Sequence, residues 1–275
     1  MDRDVTVIIG IGGMGQAIAR RTGSGRKLLL ADFNEDALHE VAGRLRDEGH
    51  DVAARTVDVA DHDSVRGLAD AAAELGPVTR VAHTAGLSPT QASADRILRV
   101  DLLGVALVLE EFARVVARGG AGVVIASMAG HMAAGLPAEH ETALARTATD
   151  ELLKLPFLAP AVLSDPGAAY ALAKRANALR VQAAAGAWGE RGARVNSISP
   201  GVIATPMGHQ ELDGESGQSM RMLVDMSATR RLGTPDDIAG AAAFLLGPDS
   251  AFVTGTDLLV DGGAVAAVRA LAPAG

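Results

Sequence analysis

Tyr170 is the only tyrosine in the 275-residue chain, and Lys174, one of three lysines, follows it by four positions in an alanine-rich stretch with helical spacing. Residues at i and i+4 share one helix face. A phenol titrates near pH ~10, so it is a poor acid or base at neutrality, but an ammonium beside it favours the phenolate and lowers that value. The pair therefore reads as a proton donor or acceptor, Tyr170, tuned by Lys174. A second constellation lies at the start of the chain, where the apolar run Val5 to Ile9 leads into Gly10-Ile11-Gly12-Gly13-Met14-Gly15 and then into helical Gln16 to Arg20. A glycine loop between a strand and a helix lets the backbone approach a pyrophosphate, which the free N–H groups and dipole of the helix N-terminus attract. Asp32 ends the next apolar run, 22 positions beyond Gly10, followed by Phe33 and Asn34. A carboxylate there accepts hydrogen bonds from a ribose 2′-OH and repels a 2′-phosphate. With no Arg or Lys in the glycine loop, the pattern predicts NAD rather than NADP. Asn34 is better placed than Asp32 to cap the helix that follows.

These residues need a scaffold, and the hydrophobic pattern supplies one. Seven strand-length apolar runs recur: Thr6 to Ile9, Lys27 to Ala31, Val52 to Val57, Arg80 to His83, Gly122 to Ala126, Arg194 to Ile198 and Asp257 to Val260. Helical spacing fills the gaps at Gly15 to Arg21, Asn34 to Asp47, Ser64 to Leu75, Ala94 to Ala117, Tyr170 to Trp188 and Pro235 to Leu246. Runs such as Val7-Ile8-Ile9 lack polar alternation, as strands covered on both faces should. The expectation is an α/β fold: one doubly wound Rossmann-type domain over residues 1–275, with a parallel sheet of about seven strands.

Two segments break the rhythm. Residues 131–169 stand where a short connection would suffice and read as an insertion, helical over Glu139 to Leu155 and then punctuated by Pro156, Pro160 and Pro166. Residues 206–229 carry Met220, Met222 and Met226 and suggest an apolar lid over a substrate. Gly119 to Gly122 reads as a loop ahead of a strand.

Composition excludes several classes. The net charge is −8, which provides no basic field for a nucleic acid or an anionic membrane. Without any cysteine, disulfides, thiolate metal sites and cysteine nucleophiles are ruled out, and the scattered histidines suggest no metal site. The apolar run near the N-terminus is too short for a signal-peptide core or a membrane span, so a cytoplasmic protein is expected.

The Tyr-x-x-x-Lys pair resembles the signature of the short-chain dehydrogenase/reductase family, and the likeness runs from Val5 to Gly263. Similar to other family landmarks are Asp58-Val59, Ala85-Gly86, Ser127 to Gly130, Pro200-Gly201-Val202-Ile203-Ala204-Thr205, Arg231 to Pro235, and Val260-Asp261-Gly262-Gly263. The resemblance implies that Ser127 binds the substrate oxygen, Tyr170 moves its proton, and Lys174 binds the nicotinamide ribose. It places Asp58 and Val59 beside the adenine, Ala85 and Gly86 beside the adenosine, and Pro200, Gly201, Ile203 and Thr205 beside the rest of the cofactor. A homodimer or homotetramer built on the helices Ala94 to Ala117 and Tyr170 to Trp188 is implied as well.

The chain departs from the family pattern in four places. Ile9 replaces a threonine and the glycine loop is one residue shorter. His83-Thr84 stands where two asparagines are usual. Asp101 occupies the position of an asparagine of the catalytic tetrad, exchanging an amide for a group that cannot donate when ionised. Ser127 and Tyr170 stand 43 positions apart, much farther than usual, because the insertion lies between them. Its apolar residues, including Leu152, Leu155, Phe157 and Leu163, are expected to wall the substrate pocket or alter subunit contacts. The predicted activity is hydride transfer between NAD and a secondary alcohol or ketone, with a bulky apolar, steroid-like or terpenoid body. The alternative from another class is a regulatory NAD-binding protein that has lost catalysis, which Asp101 and the altered loop would permit.

Overall fold

All five residues of the first strand, β1 (Val5–Ile9), are buried, as expected where helices cover both faces of a parallel sheet. The computed structural model describes residues 3–132 and 135–271; Met1, Asp2, residues 133–134 of the insertion and residues 272–275 lie outside it. The remaining strands are β2 (Lys27–Asp32), β3 (Asp51–Thr56), β4 (Val78–His83), β5 (Val116–Ile125), β6 (Arg194–Pro200) and β7 (Asp257–Val260). They form one sheet in the order β3-β2-β1-β4-β5-β6-β7, every pairing parallel.

The helices are α1 (Gly13–Gly23), α2 (Glu35–Asp47), α3 (His62–Leu75), α4 (Ala94–Ile97), α5 (Gly104–Val115), α6 (Ala129–Met132) and α7 (Ala138–Arg146). They continue with α8 (Thr149–Leu152), α9 (Pro166–Glu190), α10 (Pro206–Asp213), α11 (Gly217–Met226), α12 (Pro235–Leu246) and α13 (Ala264–Leu271). None is both long and apolar enough to cross a membrane among the described residues.

Period-two alternation divides the core. Val5, Val7 and Ile9 pack on one face with Leu68, Phe112 and Trp188, and Ile8 packs on the other with Ile18, Leu38 and Ile238. The local chemistry of the helix ends agrees. Asn34 caps α2 by accepting the Ala37 N–H, Asp165 caps α9 ahead of Pro166, and Thr234 with Asp237 forms a reciprocal capping box on α12.

Three boundaries differ from the sequence reading. The stretch Ala94 to Ala117 is not one helix: a π-helical turn, Leu98–Leu103, separates α4 from α5, and the helix ends at Val115. Gly119 to Gly122 belongs to β5, where the register against β4 shifts. The helical stretch of the insertion is split into α7 and α8. Its apolar residues dock on the body: Leu144, Leu152 and Leu158 join Ile97, Leu102, Ala173 and Ala176, with Leu155, Phe157 and Leu163 packed against them. Polar ties reinforce the docking, Arg175 with Glu141 at 2.7 Å and Arg180 Nη2 donating to the Thr147 carbonyl. Among its described residues, only Met132 lines the cavity that holds Ser127 and Tyr170; the rest of the docked apolar residues cover α4 and α9.

The sheet order reverses between β1 and β4. From β1 the chain runs outward through β2 and β3, then returns to add β4 on the opposite side. The carboxyl ends of strands at such a reversal leave a crevice.

Candidate active site

At the mouth of that crevice the glycine loop is held by contacts that exclude larger residues. Gly10 has φ 91°, and a Cβ there would stand 2.4 Å from the Ala85 nitrogen; one on Gly15 would stand 2.0 Å from the Gly10 carbonyl oxygen. A Cβ on Gly13 would press on Thr205 at 2.9 Å, so this glycine joins the loop to the start of α10. Gly12 faces open space. As the N-cap of α1 it has no side chain to satisfy the first N–H groups of the helix, which leaves them for an anion.

Asp32 stands at the edge of the same crevice and braces the loop, accepting the Ile11 N–H at 2.9 Å and the Asn34 N–H at 2.9 Å. Thr84, one of the two residues that replace the usual asparagines, ties β4 to β1 by donating its hydroxyl to the Gly10 carbonyl at 2.7 Å. Asp58 is fixed by accepting the Ala60 N–H. These groups enclose a cavity of about 460 Å³ bounded by Gly10, Gly12, Asp32, Phe33, Asp58, Val59, Ala85 and Gly86, with Arg96, Arg99 and Met207 also in its wall. A cavity with a bare helix N-terminus and a carboxylate in its wall fits a dinucleotide.

A second cavity of about 210 Å³ adjoins it, with Ser127 and Tyr170 in its wall beside Met14, Pro200, Gly201, Ile203 and Thr205. Ser127 follows β5, and its hydroxyl accepts the Ala129 N–H at 3.1 Å. Tyr170 and Lys174 share one face of α9, as their spacing requires, and the ammonium stands 5.3 Å from the centre of the phenol ring.

Asp101 lines neither cavity. It sits in the π-helical turn, wholly buried, with its carboxylate 2.9 Å from the Lys174 ammonium, itself only 5% exposed. The other carboxylate oxygen accepts the Leu87 N–H at 2.8 Å. Gly86 separates this pair from the crevice, and a Cβ there would fall 2.9 Å from Asp101 and 3.2 Å from Lys174. The loss of an amide donor is thus answered by a charge pair.

That pair changes the electrostatics expected at Tyr170. Burial raises the phenol above its ordinary value; Lys174 pulls it down, Asp101 pushes it back up, the facing Ser127 hydroxyl favours ionisation, and Glu211 opposes it. The net direction is upward, contrary to the lowering expected from Lys174 alone, chiefly because the phenol is buried and in addition because the buried Asp101 carboxylate offsets part of the ammonium's pull. Lys174 itself is held above its ordinary value, desolvation being outweighed by Asp101 and Tyr170. His83, the last residue of β4, is buried with neither ring nitrogen hydrogen-bonded. Desolvation, aided by Lys174, pushes it down to about 3, so it is neutral.

Sequence reasoning missed Arg96, Arg99 and Glu211 because each reaches its cavity from a distant element.

Comparison with known proteins agrees with this geometry. A family model described as short chain dehydrogenase matches residues 4–138, and one described as enoyl-(acyl carrier protein) reductase matches residues 152–265. The chain is 43% identical to a short-chain dehydrogenase/reductase of Alternaria brassicicola over 97% of both chains. It is 30% identical to a D-threitol dehydrogenase of Mycolicibacterium smegmatis, over 96% of this chain and 93% of that one. Among solved structures, an actinorhodin polyketide ketoreductase variant with NADPH superposes with a TM-score of 0.75 at 24% identity, over 96% of this chain and 98% of that one, a likeness of fold. A relative this similar along nearly its whole length places the chain in the short-chain dehydrogenase/reductase family.

Proposed function

We propose that the protein is an NAD-dependent oxidoreductase that interconverts a secondary alcohol and its ketone. The observation that carries this reading is the meeting of Ser127 and Tyr170 in one cavity wall, with Lys174 behind the phenol. A bound nicotinamide would supply hydride chemistry at this point, and the larger cavity would hold the cofactor through Gly12, Asp32, Asp58, Val59 and Ala85. Asp32 favours NAD, whose free 2′-OH its carboxylate can accept; Arg99, in the same wall, is engaged by Asp95 at 3.0 Å.

Ser127 orients the substrate oxygen. Tyr170, held neutral by burial, donates its proton to that oxygen during reduction and takes it back during oxidation. Lys174 stabilises the phenolate formed on donation and is itself held charged by Asp101. The apolar wall of Met14, Met128, Met207, Met220 and Leu223 suits a compact ring body. The space of about 210 Å³ is below the usual range for drug-sized ligands, so a steroid-like or terpenoid body would require α10 and α11 to move outward. We further propose a cytoplasmic homo-oligomer. Because the insertion covers α9 and α4, assembly through those helices would have to include it, and sedimentation analysis tests that.

The test of the reaction is Tyr170→Phe. Turnover of secondary alcohols, followed through cofactor absorbance, should fall by about 10²- to 10⁴-fold, while calorimetry shows NAD affinity nearly unchanged and stronger than that for NADP. Retained turnover refutes the catalytic assignment, and tighter NADP binding refutes the cofactor.

A further inference from the structure

We propose that Glu211 makes the enzyme select substrates carrying a second hydroxyl group away from the reacting carbon, an inference that rests on the alcohol and ketone chemistry assigned above. Glu211 is on α10, and its side chain lines the same cavity as Ser127 and Tyr170. Apart from Tyr170, it is the one ionisable side chain in that lining among the described residues, and methionines and Leu223 are prominent among the rest. It also acts electrostatically on Tyr170, which places its charge in the field of the reacting group.

A carboxylate partly enclosed by apolar groups is costly unless a donor reaches it. Burial raises Glu211 above the ordinary carboxylate range, and among the described residues no side-chain hydrogen bond or counter-charge offsets this. Its acceptor sites therefore remain for the substrate. A hydroxyl donor satisfies them, an apolar alcohol leaves them unpaired, and a substrate carboxylate is repelled. Sites that hydrogen-bond a substrate hydroxyl discriminate strongly against analogues lacking it.

The experiment compares cyclohexanediol with hydroxyls on opposite carbons, cyclohexanol, and a hydroxycyclohexanecarboxylate, each assayed with NAD on the wild type, Glu211→Leu and the shape-preserving Glu211→Gln. The wild type should favour the diol over cyclohexanol by about tenfold or more in kcat/KM, and the carboxylate should be its worst substrate. Glu211→Leu should bring the ratio of diol to cyclohexanol close to one. Glu211→Gln should retain a reduced diol preference, because the amide oxygen still accepts, and should improve the carboxylate relative to cyclohexanol, because the charge is gone. A diol preference absent from the wild type, or undiminished in Glu211→Leu, overturns the role of Glu211 and leaves the hydride reading intact. No turnover of any of the three with NAD bound overturns the hydride reading and this inference with it.

Discussion

Behind the phenol, Lys174 and Asp101 are 5% and 0% exposed and held to each other at 2.9 Å, whereas across the cavity that Ser127 and Tyr170 line, Glu211 has no side-chain partner among the described residues and Met207 and Met220 supply flexible packing. The first wall rests on strand ends, a π-helical turn and a 25-residue helix, whose backbones are fixed by the sheet. The second rests on the helical pair α10 and α11, of 8 and 10 residues, outside the sheet. The contrast assigns them different tasks. Proton transfer requires groups fixed to within fractions of an ångström and belongs on the rigid wall. Substrate choice tolerates adjustment and is placed where unbranched methionines can repack.

The largest expected break of this contrast is Lys174→Met. It strands the Asp101 carboxylate in the interior, and losing one partner of a buried pair costs about 3–5 kcal/mol; denaturant unfolding should show that loss, and an unchanged midpoint would mean that the pair does not stabilise the rigid wall. Asp32→Ala comes next. It removes both an acceptor for the cofactor ribose and the brace on Ile11, so NAD affinity measured by calorimetry should fall by about tenfold or more, the equivalent of a lost hydrogen bond to a charged group.

Asp101→Asn sharpens the electrostatic side. Burial, Asp101 and Glu211 raise the phenol while Lys174 and Ser127 lower it. Oxidation requires the phenolate, which is populated above the Tyr170 pKa. Removing the Asp101 charge lowers that pKa, so the rising limb of the oxidation rate against pH should move to lower pH; a limb that moves upward contradicts the argument. The smallest effect is expected on the flexible wall: Met220→Leu conserves volume and should change stability by less than about 1.5 kcal/mol, as read from the melting temperature.

Much of this was legible in one dimension because it depends on local physics. Strand-length apolar runs mark the strands of the sheet, and all seven lie within the observed strands or overlap them at their ends. Glycines spaced for close approach mark the loop at Gly10 to Gly15, and an i+4 interval brings Tyr170 under Lys174 without knowledge of the rest of the fold. The upward shift of Tyr170 was not legible, since a tyrosine and a lysine four residues apart reveal neither how deeply the fold buries the phenol nor that a carboxylate stands on the far side of the ammonium. Nor could the insertion be placed: Leu152 and Leu158 are equally apolar whether they wall a pocket or dock on α9.

The sequence by itself determined a parallel α/β architecture, a glycine-loop cofactor crevice with Asp32 at its edge, and a tyrosine–lysine pair on one helix, because each follows from periodicities within a turn or a strand. Only the tertiary structure decided that Asp101 neutralises Lys174 behind Gly86, that Glu211 enters the substrate cavity, and that the insertion covers α4 and α9. Those contacts join elements separated by tens of residues, and they depend on the order β3-β2-β1-β4-β5-β6-β7, which brings those elements together across the carboxyl ends of the strands.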